Sequence, residues 1–355
     1  MSTEEPAARR ERAGTCRAVA SRRMTSIARP AGAARPIVVL GCPRSGTTLL
    51  QVALHSHPRI AVPPETWLLV DAYRERLTFG DLAEPAARER LADWVLARRK
   101  VRDLGVPKKE LRARIRTAPP TLGSALAAVL QAYADRFDKP RWGDKRPGYY
   151  RDVAAVRRLL PDAQFVHVVR DARACVASLK TVPWWRQGTP AAVATWMEAQ
   201  SAGDRWRARL GPGSWHELRY EELVRDPEPV LRALCTFLGE EYDPAMTEPA
   251  AAARIAVPTR KTWHERTTQG IDPGRVSAYR DVLTAQELAL VERVAGRRLA
   301  TLGHDLHGGE RVEPALLASY LRTAAHRRLA QSKQHALDVL RDRRAGTPVA
   351  AVARA

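Results

Sequence analysis

The 355-residue chain holds only four cysteines, Cys16, Cys42, Cys175 and Cys235, far apart and without a CxxC pair. That spacing argues against a disulfide framework, and with no histidine cluster at metal-ligand spacing it argues against a zinc site. No resolving cysteine is evident for Cys16 or Cys42, so a redox role has nothing beyond position behind it. No stretch approaches the ~18 apolar residues of a membrane span. The Arg-rich start lacks the apolar core of a secretory signal, so the expected setting is a reducing cytoplasm. Internal repeats are absent too. What is present is ordinary globular material, 45% apolar and 28% charged, in a length that suits one large or two ordinary domains.

Net charge is +20, and it is concentrated at the ends. Residues 1–35 carry eight basic and three acidic side chains, and residues 311–355 carry nine and three, leaving +9 for the middle. Such a balance raises polyanions as partners. The expectation is weak peripheral contact with anionic membrane through the basic tail, and no specific nucleic acid. A purely non-enzymatic basic adaptor would leave the central motifs unexplained.

Residues 1–35, rich in Ala, Arg, Ser and Pro without apolar periodicity, read as a disordered basic leader in which Met24 offers an alternative start. Order is expected from the run Pro-Ile-Val-Val-Leu-Gly at 36–41, a buried strand feeding a helix. From 65 to about 137, helical periodicity broken by Pro85, Pro107, Pro119 and Pro120 reads as a helical insertion. A second buried strand at 164–169 and a third at 214–219 alternate with helices, and 284–302 reads as a helix. This pattern predicts a three-layer α/β/α domain with a parallel central sheet over 36–308. Beyond it, 309–355 reads as a basic amphipathic helical tail, with Leu316, Leu317, Tyr320, Leu321, Leu329, Leu337 and Leu340 at roughly helical spacing.

The strongest local signal is Gly41-Cys-Pro-Arg-Ser-Gly-Thr-Thr48 between the first strand and its helix. Glycines admit backbone amides to an anion, and a helix N-terminus adds partial positive charge, so Ser45, Gly46, Thr47 and Thr48 form a phosphate cradle. A Walker A loop would place Lys where Thr47 stands, and Arg44 is the nearby cation instead. The strand at 164–169 runs into Arg170, where a Mg-nucleotide hydrolase or kinase would carry an acidic residue. Both departures weigh against a P-loop kinase or NTPase, the alternative reading. Arg170 and Ser178, two helical turns apart, suit a phosphate gripped by guanidinium and hydroxyl.

With His57-Pro58, Glu65-Thr66, Asp144-Lys145-Arg146-Pro147, Val169-Arg170-Asp171 and Arg219-Tyr-Glu-Glu-Leu223, the chain resembles sulfotransferases that use 3'-phosphoadenosine 5'-phosphosulfate. The likeness is to bacterial members and tyrosylprotein sulfotransferases, over roughly 36–305. It implies a P-loop NTPase-like sulfotransferase fold and in-line transfer of a sulfuryl group to a hydroxyl, with 3',5'-adenosine bisphosphate as product and no metal. It also implies a 3'-phosphate site at Arg170 and Ser178, and a transition-state cation at Lys145 beside Arg44. Tyr220 would lie near the nucleotide, and Thr267, Thr268 and Arg275 would close over the 3'-phosphate. The acceptor proton needs a base. Glu65 is the first choice, with His55, His57 and His264 as alternatives. Trp184 and Trp185 suit core packing more than stacking on an acceptor. The acceptor, whether carbohydrate, lipid, natural product or peptide tyrosine, has no signature, and neither does the oligomeric state.

Overall fold

The β-branched run at the start of the ordered sequence forms strand β1 (Ile37–Gly41), buried throughout. A strand covered on both faces serves two cores with alternate side chains. Val38 and Leu40 enter one apolar cluster, Ile37 and Val39 the other. The computed structural model describes residues 35–248, 278–308 and 310–344.

After β1 come α1 (Thr47–Ser56) and a two-residue strand β2 (Ile60–Ala61), too short to show any periodicity in the sequence. The helical insertion follows as α2 (Leu68–Arg74), α3 (Arg76–Phe79), α4 (Pro85–Ala97), α5 (Lys108–Thr117) and α6 (Leu122–Asp135). The chain then re-enters the sheet as β3 (Arg141–Lys145), leaves through α7 (Val153–Leu159) and returns as β4 (Gln164–Val169). Helices α8 (Ala172–Lys180) and α9 (Gly188–Leu210) lead to β5 (Trp215–Arg219), then α10 (Tyr220–Arg225) and α11 (Pro227–Leu238). Two later helices are α12 (Ala285–Thr301) and α13 (Pro314–Arg344).

The five strands lie in the order β2-β3-β1-β4-β5, every pair parallel. One face carries α1, α10 and α11; the other carries the insertion with α7, α8, α9 and α12. The molecule is thus a three-layer α/β/α fold around a parallel sheet. Thr284 starts α12 with a reciprocal capping box to Glu287, a local signal worth about 1 kcal/mol.

Among the described residues of the basic tail there is one helix, α13, and only its first turns are amphipathic in use. Tyr320 is buried, Leu316 and Leu317 pack on the core, and Arg327 pairs with Glu198 of α9. Leu321, Leu329, Leu337 and Leu340, assigned by spacing to the same apolar stripe, are 38–71% exposed. The stripe outruns the domain, because α13 extends past the surface it docks on. Trp184, expected in the core, is 45% exposed, while Trp185 packs against it.

Helix α9 crosses β4 closely enough that a Cβ on Gly203 would sit 2.5 Å from Cε1 of the fully buried His167. Gly203→Ala is expected to cost about 1–3 kcal/mol through overpacking, against ~1 kcal/mol gained in helix propensity. The measure is a lower urea midpoint at unchanged slope; a raised midpoint would show that the ring has room to move.

Candidate active site

In a parallel sheet the strand ends gather ligand-facing loops along the carboxyl edge. Here that edge brings together the loop after β1, Lys145 at the end of β3, Arg170 just past β4 and Tyr220 just past β5.

The loop 41–48 turns tightly, with Ser45 N donating to Cys42 O at 3.0 Å, and enters α1 through Gly46. Gly46 has φ +99°, and a Cβ there would lie 2.3 Å from Tyr220 Cδ2, so the position admits glycine alone. Arg44 also has positive φ, 73°. Its Nε donates to Ser178 Oγ at 3.0 Å, while Arg170 Nη1 donates to the Arg44 carbonyl at 3.0 Å. The Arg170 guanidinium lies 4.1 Å over the Tyr220 ring, and its own carbonyl accepts from Trp196 Nε1 at 2.8 Å. Arg44, Gly46, Arg170, Ser178 and Tyr220 therefore form one connected group. Trp196, fully buried on α9, is a holder that no local sequence pattern marks.

Lys145 is 1% exposed. Its ammonium donates to Glu65 Oε1 at 2.6 Å and to Thr48 Oγ1 at 3.2 Å. A buried ammonium is tolerated only when paired and hydrogen-bonded, and these two partners meet that need. Beside it, burial pushes the Asp144 carboxyl up to about 6, opposed by the hydrogen bond from Tyr149.

Glu65 is reached through α1. Gln51 Nε2 donates to Pro63 O at 2.7 Å, and Val62 N donates to His55 Nδ1 at 3.1 Å, so two α1 side chains hold the segment that carries the carboxylate. His55 is thus a structural acceptor, held down at about 4 by burial and by the Lys139 charge. His57 is committed as well: Arg59 N donates to its Nδ1, and its Nε2 meets Glu241 O at 2.8 Å. His264, Thr267, Thr268 and Arg275 lie outside the described residues, as does Cys16. Cys42 meets a partner that the sequence does not reveal, Cys175 of α8; burial pushes the Cys42 thiol well up, which makes it a packed group and a poor nucleophile.

The residues suit a phosphorylated donor. Ser45 Oγ is fully buried and has no hydrogen-bond partner among the described residues, and it sits at the N-terminal end of α1, where a helix offers backbone amides to an anion. Among the described residues no group of three or more His, Cys, Asp or Glu could hold a metal ion. No helix among them is long and apolar enough to cross a membrane.

A family model described as the sulfotransferase family matches residues 36–244. The chain belongs to the sulfotransferase family. Its members move a sulfuryl group from 3'-phosphoadenosine 5'-phosphosulfate to an acceptor. The chain is 28% identical to nodulation protein NoeE of Sinorhizobium fredii, over 75% of this chain and 65% of that protein. With protein-tyrosine sulfotransferase 2 of Gallus gallus the identity is 26%, over 57% of this chain and 50% of that protein. The chain thus spans about half to just under two thirds of the length of these two curated relatives. The fold matches the sulfotransferase domain of the Synechococcus olefin synthase, with TM-score 0.53 and 23% identity, over 78% of this chain and 98% of that one. It also matches the sulfotransferase domain of the curacin biosynthetic pathway, with TM-score 0.52 and 19% identity, over 77% and 99%.

The committed state of His55 has a consequence for stability. Its folded pKa lies below the unfolded value near 6.5, so its neutral form stabilises the fold above that pH. The contribution is lost as pH falls toward about 4. The difference in urea stability between wild type and His55→Gln should shrink over this interval by up to about 3 kcal/mol. A pH-independent difference would show that the imidazole titrates freely.

Proposed function

We propose that this chain transfers a sulfuryl group from 3'-phosphoadenosine 5'-phosphosulfate to a hydroxyl of its acceptor by in-line displacement, with Glu65 as base and Lys145 and Arg44 as stabilising cations. The observation that carries the reading is Lys145 bridging Thr48 of the cradle and Glu65. When bound, the donor supplies the sulfuryl group and the phosphate that leaves. The backbone and hydroxyls of Ser45, Gly46, Thr47 and Thr48 would hold its phosphosulfate end, Arg170 and Ser178 its 3'-phosphate, and Tyr220 would back the cradle. Thr267, Thr268 and Arg275 are assigned to the 3'-phosphate by family pattern only. The ammonium of Lys145 stabilises negative charge growing on the leaving oxygen, and Arg44 adds a second charge beside it. Glu65 accepts the hydroxyl proton once its hold on Lys145 loosens.

Residues 36–308 are assigned to the catalytic domain, 1–35 to a leader and 309–355 to an appended tail. A protein-tyrosine sulfotransferase among the relatives makes a phenolic hydroxyl one acceptor to test, beside carbohydrate, lipid and natural-product alcohols. Charge alone supports contact of the tail with anionic membrane, and the docking of α13 on α9 leaves only its distal turns for that role.

Calorimetry in EDTA should detect tight binding of 3',5'-adenosine bisphosphate and much weaker binding of ATP; tight Mg-dependent ATP binding with hydrolysis would overturn the donor assignment. Glu65→Gln should keep bisphosphate affinity within a few-fold yet slow turnover by roughly 10² to 10⁴, the range for a lost proton-transfer catalyst. Arg44→Ala should damage affinity and turnover together. Full turnover in the glutamine variant would remove Glu65 from the chemistry.

A further inference from the structure

Helix α13 lies beyond the 36–244 segment that the family model matches, yet it reaches back toward the catalytic edge. Its first turns pack on α9, and Arg327 closes that contact. The guanidinium grips Glu198 through both oxygens, Nε donating to Oε1 at 2.5 Å and Nη2 to Oε2 at 3.0 Å, a fork of fixed geometry. The two side chains are 17% and 13% exposed. Nη1 also donates to Oε1 of Gln187, the residue before α9, at 3.4 Å.

Glu198 is shared. Its Oε2 also accepts from Arg151 Nη2 at 2.7 Å. Arg151 closes the turn Pro147–Arg151, which begins two residues after Lys145, and its Cζ lies 4.7 Å over the Tyr150 ring. The turn packs on β1 and on α9. Tyr150, 2% exposed, belongs to the same buried core as Cys42 of the cradle loop and Cys175 of α8, and the charges of Arg151, Glu198 and Arg327 all act on its hydroxyl. Ahead of the turn, Arg146 N donates to Val39 O at 3.2 Å. The stretch from Lys145 to Arg151 is therefore fixed to β1 at one end and to Glu198 at the other. A carboxylate held by two guanidiniums is directed from both sides, and whatever displaces Arg327 frees Glu198 and Arg151 to move together.

Resting on the donor reading above, we infer that Arg327 is a positioning residue for the donor site, acting through Glu198 and Arg151 on the stretch that carries Lys145 and underlies Cys42. Helix α13 is then a support of the catalytic edge. Its docking and donor binding strengthen each other, because a coupling between two equilibria is reciprocal. A helix that only covered apolar surface would need Leu316, Leu317 and Tyr320; the fork onto a carboxylate that Arg151 already pairs adds direction to that contact.

The test uses the full chain and 3',5'-adenosine bisphosphate. Saturation with the bisphosphate should slow amide hydrogen exchange in residues 316–327 by more than in α11 on the opposite face, which reports overall stabilisation. In calorimetry, Arg327→Gln should weaken bisphosphate affinity at least about fivefold, the low end of couplings between sites. Arg327→Lys, which keeps the charge and loses the fork, should fall between. Leu329→Ala, on an exposed position two residues along, should leave the affinity unchanged. A purely structural tail would lower the urea midpoint of Arg327→Gln and leave its affinity alone, and that result overturns the inference. Equal slowing in α13 and α11 overturns it too, a measurement on the wild type that stands even where the variant fails to fold. Failure of the wild type to bind the bisphosphate would instead overturn the donor reading.

Discussion

An ammonium held at 1% exposure at the end of β3 is the constraint on which the site depends. Lys145 cannot remain charged there without partners, and the fold supplies them from the first turn of α1 and from the segment before α2. That need joins the donor-facing cradle to the carboxylate, because Thr48 and Glu65 share one lysine. The resting ion pair is also what a reaction must loosen, which places the base and the stabilising cation in one coupled unit.

The two-faced sheet makes this arrangement possible. Alternating side chains of β1 bury into both layers, so the strand is fixed in register with β3 and β4 on either side. With register fixed, Gly41, Lys145 and Arg170 arrive at the same edge. Gln51 and His55 of α1 then carry the positional certainty of the sheet outward to the 62–65 segment.

A second buried network steadies the Arg170 side of the site. Arg173, directly after the start of α8, pairs with Asp171 at 2.6 Å and with Glu292 of α12 at 2.9 Å, and donates to the Asp305 carbonyl at 2.7 Å. Asp171 N donates to Glu221 of α10 at 2.9 Å. The residue after the proposed phosphate-gripping arginine is therefore tied to helices on both faces of the sheet, and breaking a buried charged pair of this kind is costly.

What the sequence determined by itself is what short-range pattern encodes: the strands read at 36–41, 164–169 and 214–219, the glycine-bearing loop with Thr47 where a Walker loop carries lysine, and the helix read at 284–302. Apolar period and turn chemistry act over a few residues, so they can be read along the chain. The two-residue β2, the docking of half of α13 and the exposure of Trp184 could not be read, since each depends on what lies alongside. The same holds for the site. Lys145 meets Glu65 across 80 residues and Arg44 meets Ser178 across 134, and His55 is occupied by a backbone amide rather than left open as a base. Cys175 beside Cys42, and Lys100 and Arg146 over the Trp67 ring, belong to the same class. Only the tertiary structure decided these contacts, because strand order and register set which distant side chains share a buried space, and charge and hydrogen-bond demand then settle how they pair.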